Sequence, residues 1–212
     1  MGIAYNLYRS TGKLVETINP VKFETADGQQ LEFVSTKTLK VGDRAPSFNL
    51  LNFDGKRKSM DDYLAKGSLI LSFYRGDWCP YCNAEIRGFA NRKQEIEGAG
   101  GQHVGISPML PDYNILVKDR HRLTDDVLSD MGNRIAKTYG LELIAPPGIG
   151  PGVIKDKMSI DEATEDFSGQ VVVPIPATLV IGQDGLVKYI YNNPDITRRA
   201  NQNEIISVLK SL

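Results

Sequence analysis

The feature that most constrains this chain is the run Leu69-Ile70-Leu71-Ser72-Phe73-Tyr74 followed, after a short turn, by Cys79-Pro80-Tyr81-Cys82. The run is nearly all apolar and has the length of a strand covered on both faces. The spacing then predicts a helix from about Cys79 to Ile96, with Ile86, Phe89 and Ala90 on one side and Gly100-Gly101 as its stop. Cys79 and Cys82 are the only cysteines in the chain of 212 residues. A pair three residues apart cannot staple a domain of this size, so in a reducing compartment it reads as catalytic or metal-binding.

The position of the pair suggests chemistry. Cys79 would stand at the helix N-terminus, where free N–H groups and the positive end of the dipole stabilise a thiolate, the reactive form. Cys82 lies one turn further on the same face, within disulfide reach. Pro80 suits the first turn, where no amide is needed. Such a thiolate attacks a disulfide or a peroxide, and its neighbour resolves the product as an intramolecular disulfide. On this reading Cys79 is the more exposed thiol with the lower pKa. The blander readings are an inert buried pair or half of a zinc site. Zinc asks for about four ligands, and His103 and His121, the only histidines, are not spaced like ligands. No metal and no cofactor is expected.

Around this centre the remaining elements fall into order. Residues 1–38 read as an extension, with Asp27-Gly28 between Val21-Lys22-Phe23 and Leu31-Glu32-Phe33-Val34 suggesting a hairpin, although the flanks also tolerate a helix. Residues 39–212 read as the main domain. Ser47 to Leu51 is a short strand, and Ser59 caps a helix through Leu64 with two acids in its first turn. His103 to Ser107 is a buried strand, and helices are expected at 111–120 and 131–139. Leu179-Val180-Ile181, Asp184-Gly185 and Leu186 to Ile190 form a hairpin, and Asn203 to Leu212 a closing amphipathic helix. Strands alternating with helices predict an α/β fold, a sheet sandwiched between helices with a hairpin at one end. Ala145 to Gly152 is a surface loop, and Gly148-x-Gly150-x-Gly152 within it follows prolines and not a strand, so it is no nucleotide fingerprint.

Composition excludes several functions. With 25 basic and 26 acidic residues the net charge is −1, which argues against nucleic-acid partners and against a polybasic membrane clamp. No stretch approaches the roughly 18 consecutive apolar residues of a membrane span. The first residues lack a basic segment followed by an apolar one, so the cytosol is the expected address.

The neighbours of the dithiol have readings of their own. Arg75, just before the turn, would stabilise a thiolate or polarise a peroxide, or else face solvent. Asp77 could take protons from the dithiol, but as a turn residue it reads better as a local acceptor. Trp78 and Tyr81 would offer apolar surface to a partner protein or shield the sulfurs. His121, among Lys118, Asp119, Arg120 and Arg122, marks a solvated helix face. Arg198-Arg199 beside Asp195 reads as a cap or surface pair, with a homodimer contact as the alternative.

At these residues a resemblance appears. Trp78-Cys79-Pro80-Tyr81-Cys82 resembles a thioredoxin-fold active site, with the Pro-Tyr dipeptide of glutaredoxins. Val41-Gly42-Asp43-Arg44-Ala45-Pro46-Ser47-Phe48, Leu71 to Gly76, Ile106-Ser107-Pro108 and Pro176 to Ile181 with Asp184-Gly185 resemble the AhpC/TSA peroxiredoxin-like proteins, from about Val41 to Leu212. The resemblance implies a thioredoxin fold, a central mixed β-sheet flanked by helices. It also implies hydroperoxide reduction with electrons from a thioredoxin-like or glutathione-type reductant. The chain departs from the family pattern Pro-x-x-x-Thr/Ser-x-x-Cys. Counting back from Cys82 gives Arg75 and Cys79, and from Cys79 gives Ser72 and Gly76. Near Pro176, where the family carries an arginine, the chain resembles thioredoxin instead, which implies a cis Ile175–Pro176 bond facing the dithiol. Disulfide exchange on proteins or glutathione adducts therefore stands beside peroxide reduction. A non-catalytic binding module is the third reading, and it needs neither thiol.

Overall fold

A computed structural model describes residues 5–8, 14–18, 21–24, 28, 30–33, 39–144 and 172–212. The expected loop at Ala145 to Gly152 lies outside these residues. The centre is a seven-stranded mixed sheet of β5 (Asn49–Asn52), β6 (Arg57–Ser59), β7 (Ser68–Phe73), β8 (Gly101–Ser107), β9 (Asp126–Ser129), β12 (Ala177–Ile181) and β13 (Val187–Asn192). Its order is β13-β12-β7-β8-β9-β5-β6. β7, β8 and β9 run parallel, whereas β12, β13, β5 and β6 join antiparallel.

β7 lies inside the sheet between β12 and β8, and every one of its residues is buried. Leu69, Leu71 and Phe73 enter one core with Phe48, Tyr63 and Ile106. Ile70 points the other way, into a cluster with Phe89, Val180 and Ile206. Burying each large apolar side chain of this kind contributes about 1.5–3 kcal/mol. The helices α1 (Met60–Leu64), α2 (Pro80–Asn91), α3 (Lys93–Gly98), α4 (Pro111–His121), α5 (Arg134–Thr138) and α6 (Gln202–Lys210) flank the sheet. α1 begins as expected at Ser59, whose hydroxyl accepts from the Asp62 N–H while the Asp62 carboxylate accepts from the Ser59 N–H, a reciprocal cap.

Several boundaries differ from expectation. The single helix expected from Cys79 to Ile96 is two, broken at Arg92, whose φ and ψ of −104° and 14° leave the helical region. The helix expected at 131–139 is shorter, because Gly132 and Asn133 take positive φ and only 134–138 stays α-helical. β9 was not anticipated, because Asp126-Val127-Leu128-Ser129 is too short and mixed to show a period. The strands expected on either side of Gly28 do pair antiparallel. β3 (Val21–Glu24) pairs with β4 (Gln30–Phe33), and β4 pairs in turn with β10 (Glu142–Ile144), which lies beside β11 (Val172–Pro174). β1 (Tyr5–Tyr8) and β2 (Leu14–Ile18) form a separate antiparallel pair.

Candidate active site

The site is built where β7 ends and α2 begins. Gly76 turns the chain at φ +143°, and a Cβ there would fall 2.6 Å from Trp78 Nε1, so glycine alone lets the indole fold back on the turn. Cys79 is the N-cap of α2, and its sulfur accepts from the Cys82 N–H at 3.4 Å. This places the sulfur at the end of the helix where orphan amides favour negative charge. Cys79 and Cys82 are joined by a disulfide, with Cα atoms 5.3 Å apart. Both residues are 0% exposed. In the oxidised protein the two are equally buried, and the expectation that Cys79 is the more exposed thiol refers to the reduced form. The pair belongs to a buried cluster with Tyr74, Ile86, Met109 and Val117, and Trp78 packs against that cluster.

The inward stripe of α2 is Cys82, Glu85, Ile86 and Phe89. A carboxylate in such a stripe requires partners, and Glu85 has two. Thr178 of β12 donates its hydroxyl to Glu85 Oε1 at 2.9 Å, and Arg199 pairs with Oε2 through Nε at 3.2 Å. The same guanidinium turns Nη2 toward the sulfurs, 3.4 Å from Cys82 Sγ and 4.0 Å from Cys79 Sγ. Burial pushes the Glu85 carboxyl above its usual range, although Arg199 and Thr178 pull it back. Burial likewise lowers Arg199, against the pull of Glu85.

Arg199 corrects the reading of Arg198-Arg199 as a surface pair. Arg198 does fit it, with a side chain 67% exposed and Nε 3.2 Å from Asp195 Oδ2. Arg199 turns inward, held at the start of the loop into α6. Arg75 is not solvent-facing either. It is buried, and its guanidinium lies 4.6 Å from the centre of the Trp78 ring. Tyr81 is the exposed aromatic of the motif, and Trp78 is half-buried. Asp77 is the expected local acceptor. Its carbonyl accepts from Asn83 Nδ2 at 2.6 Å, its carboxylate meets Arg120 at 3.4 Å, and its N–H points at Met109 Sδ at 3.1 Å.

Pro176 is buried just before β12, whose first residue, Ala177, pairs with Phe73 at the end of β7. That register brings it to the end of the sheet from which the dithiol turn departs. The Ile175–Pro176 bond is trans, as are all peptide bonds among the described residues, which overturns the expected cis bond. The continuous pairing of β12 with β7 from Ala177 onward is made without it.

The family model for the AhpC/TSA family matches residues 41–190. The chain belongs to the AhpC/TSA family. It is 28% identical over 171 residues to a chloroplastic peroxiredoxin Q of Populus jackii, covering 81% of this chain and 68% of that one. It is 30% identical over 175 residues to the 1-Cys peroxiredoxin PER1 of Hordeum vulgare, covering 82% and 73%. Its fold matches a peroxiredoxin-like protein from Aquifex aeolicus with a TM-score of 0.67 at 20% identity, over 91% of this chain and 98% of that one. Family membership makes the chain a thiol-dependent oxidoreductase of the peroxidase type.

Within this AhpC/TSA chain, Arg199 and Glu85 are the site residues that sequence reading missed. Glu85 carried a signal, an acid one turn after Cys82 on the face that also holds Ile86 and Phe89. Arg199 carried none, because it reaches the site from 120 residues beyond Cys79 through tertiary packing alone. Among the described residues, no helix is long and apolar enough to cross a membrane.

Proposed function

We propose that the chain reduces hydroperoxides by cycling Cys79 and Cys82 between dithiol and disulfide, with electrons from a thioredoxin-like dithiol donor. The observation that carries this reading is the Arg199 guanidinium beside the buried disulfide. A fixed cation there stabilises a thiolate and can also donate to the oxygens of a peroxide, which disulfide exchange does not require.

Although Cys79 caps α2, Cys82 is the sulfur nearer to the Arg199 cation, and on this reading it, not Cys79, attacks the peroxide as a thiolate. Its sulfur bonds to one oxygen, the O–O bond breaks, and the other oxygen leaves as an alcohol or water on taking a proton. Cys79 then attacks the resulting sulfenic acid, forming the disulfide and releasing water. A donor dithiol supplies two electrons to open it again. In this scheme Arg75 holds Trp78 in place by its stacked guanidinium, and Trp78, Tyr81 and Pro176 face the donor. Residues 39–212 are the working unit, and 1–38 an extension. Because the cycle needs a reducing thiol pool, we place it in the cytosol.

The test is stopped-flow oxidation of the reduced protein by hydrogen peroxide beside an insulin-reduction assay. Peroxide should oxidise the protein far faster than a free thiol, and Cys82→Ser should abolish that reaction. Fast insulin reduction, with a peroxide rate no better than a free thiol, would instead establish disulfide exchange.

A further inference from the structure

The peroxide cycle moves protons at two sulfurs that are buried in the oxidised protein. Oxidation joins a thiolate, a thiol, a hydroperoxide and one proton into a disulfide, an alcohol and water. Reduction by a dithiol returns the thiolate and thiol, gives the donor's disulfide, and releases one proton. Yet both sulfurs are 0% exposed.

A row of polar side chains crosses one face of the sheet from the surface to this site, hydrogen-bonded at each step except between Ser72 and Thr178, which are neighbours by register. Lys93, at the start of α3 with its side chain 40% exposed, donates to Asp125 Oδ1 at 3.0 Å. The other oxygen of Asp125 meets His103 Nδ1 at 2.9 Å, and His103 Nε2 meets Ser72 Oγ at 3.1 Å. Ser72 is the register partner of Thr178 across β7 and β12. Directly opposed residues stand with Cβ atoms about 4.5–5.5 Å apart and point to one face. Thr178 donates to Glu85, one turn along α2 from Cys82.

We propose that Asp125, His103, Ser72 and Thr178 form a proton relay between the protein surface and Glu85, which exchanges the proton at the Cys82 site. Every member is less than a tenth exposed and holds a group that both gives and accepts hydrogen bonds, or a carboxylate that takes a proton. The imidazole is suited to the central place, since it accepts at one nitrogen while donating from the other. Asp125 orients it, as a buried carboxylate does in a serine–histidine–aspartate arrangement. Here Ser72 is fully buried, so it meets no substrate and passes the proton on instead. Arg199 cannot serve, because a guanidinium does not give up its proton. The groups facing His103 are Ser72 from β7, Asp125 before β9, Lys93 from α3, and Phe89 stacked on its ring from α2, with Glu85 a turn away. Glu97 and Gln102 line the small surface depression above it.

The inference rests on the Cys79–Cys82 cycle but not on peroxide being its substrate, and the experiment separates the two. The oxidised full chain is reduced with dithiothreitol across a pH series, in light and heavy water, and the reaction is followed by Trp78 fluorescence. Ser72→Ala, which deletes one hydroxyl, should slow reduction at neutral pH by roughly tenfold or more, in line with the loss of a general acid–base contribution. It should also lose the wild-type solvent isotope effect. His103→Gln, which keeps hydrogen bonding but not proton exchange, should match it. Should His103→Gln not fold, Ser72→Ala decides alone. Wild-type rate and isotope effect in Ser72→Ala overturn the relay, whatever the peroxide assay shows. A wild-type protein with no reducible disulfide overturns the underlying reading as well.

Discussion

Glu85 and Arg199 meet on the inner side of the disulfide, Oε2 to Nε at 3.2 Å, and the same guanidinium reaches Cys82 Sγ at 3.4 Å. One cation thus serves two acids, the Glu85 carboxyl and a thiolate that exists only in the reduced protein. The pair also ties α2 to the loop before α6, and Gln202, the first residue of α6, adds a bond from Nε2 to the Glu85 carbonyl at 3.2 Å. The geometry of the sulfurs therefore depends on two parts of the chain that are remote in sequence.

Removing this cation should be costly to peroxide chemistry. Arg199→Gln should slow oxidation of the reduced protein by hydrogen peroxide on the order of 10²-fold, as for the loss of one preorganised donor. It should also raise the pH at which the first thiolate forms, since an adjacent positive charge favours the ionised sulfur. Stopped-flow oxidation and ultraviolet titration of the thiolate read the two effects. An unchanged rate would take Arg199 out of the mechanism.

Arg75 should behave differently. Its guanidinium stacks on Trp78, so Arg75→Ala removes a cation–π contact of about 1 kcal/mol. Urea unfolding should show that loss, and the emission of Trp78, the only tryptophan in the chain, should shift. Its peroxide rate should fall much less than that of Arg199→Gln. A fall of equal size would return Arg75 to the role expected of it from sequence.

Gly76 tests the turn that carries both cysteines. Gly76→Ala places a methyl group against Trp78 Nε1 and a side chain at φ +143°. The strain should cost about 1–3 kcal/mol, seen as a lower thermal midpoint with a displaced Trp78 emission. A midpoint equal to the parent's would mean that the indole is not packed against this turn.

How much of this was legible beforehand follows from what each residue's environment requires. Leu69 to Phe73 announced the central strand because both faces of it are covered, which leaves a run that only Ser72 interrupts. Ser59 announced α1 because its cap is made within four residues. Cys79 and Cys82 announced the dithiol because strand, turn and helix start are all local. β9 was hidden because its four residues become a strand only by pairing with β8 and β5. Arg199 was hidden for the same reason, since nothing near it in sequence distinguishes it from Arg198. The expected cis bond at Pro176 failed because the similarity to thioredoxin at that point is one of sequence, whereas the backbone there follows the pairing of β12 with β7.

The last prediction concerns Glu85 and the pH dependence of stability. Burial outweighs Arg199 and Thr178 and raises the carboxyl above its ordinary value of 4.5. Between the ordinary and the raised value the folded chain binds more protons at this residue than the unfolded chain. Stability from this group is therefore fully present below the ordinary value and is lost as pH rises through the raised one. Glu85→Gln has no such titration. Denaturant unfolding of the two proteins should show the parent losing ground to Glu85→Gln as pH climbs out of the ordinary carboxyl range, with the difference levelling once Glu85 is ionised. The opposite trend, with the parent gaining on the variant as pH rises, would mean that Arg199 holds the carboxyl down and that the ion pair dominates its burial.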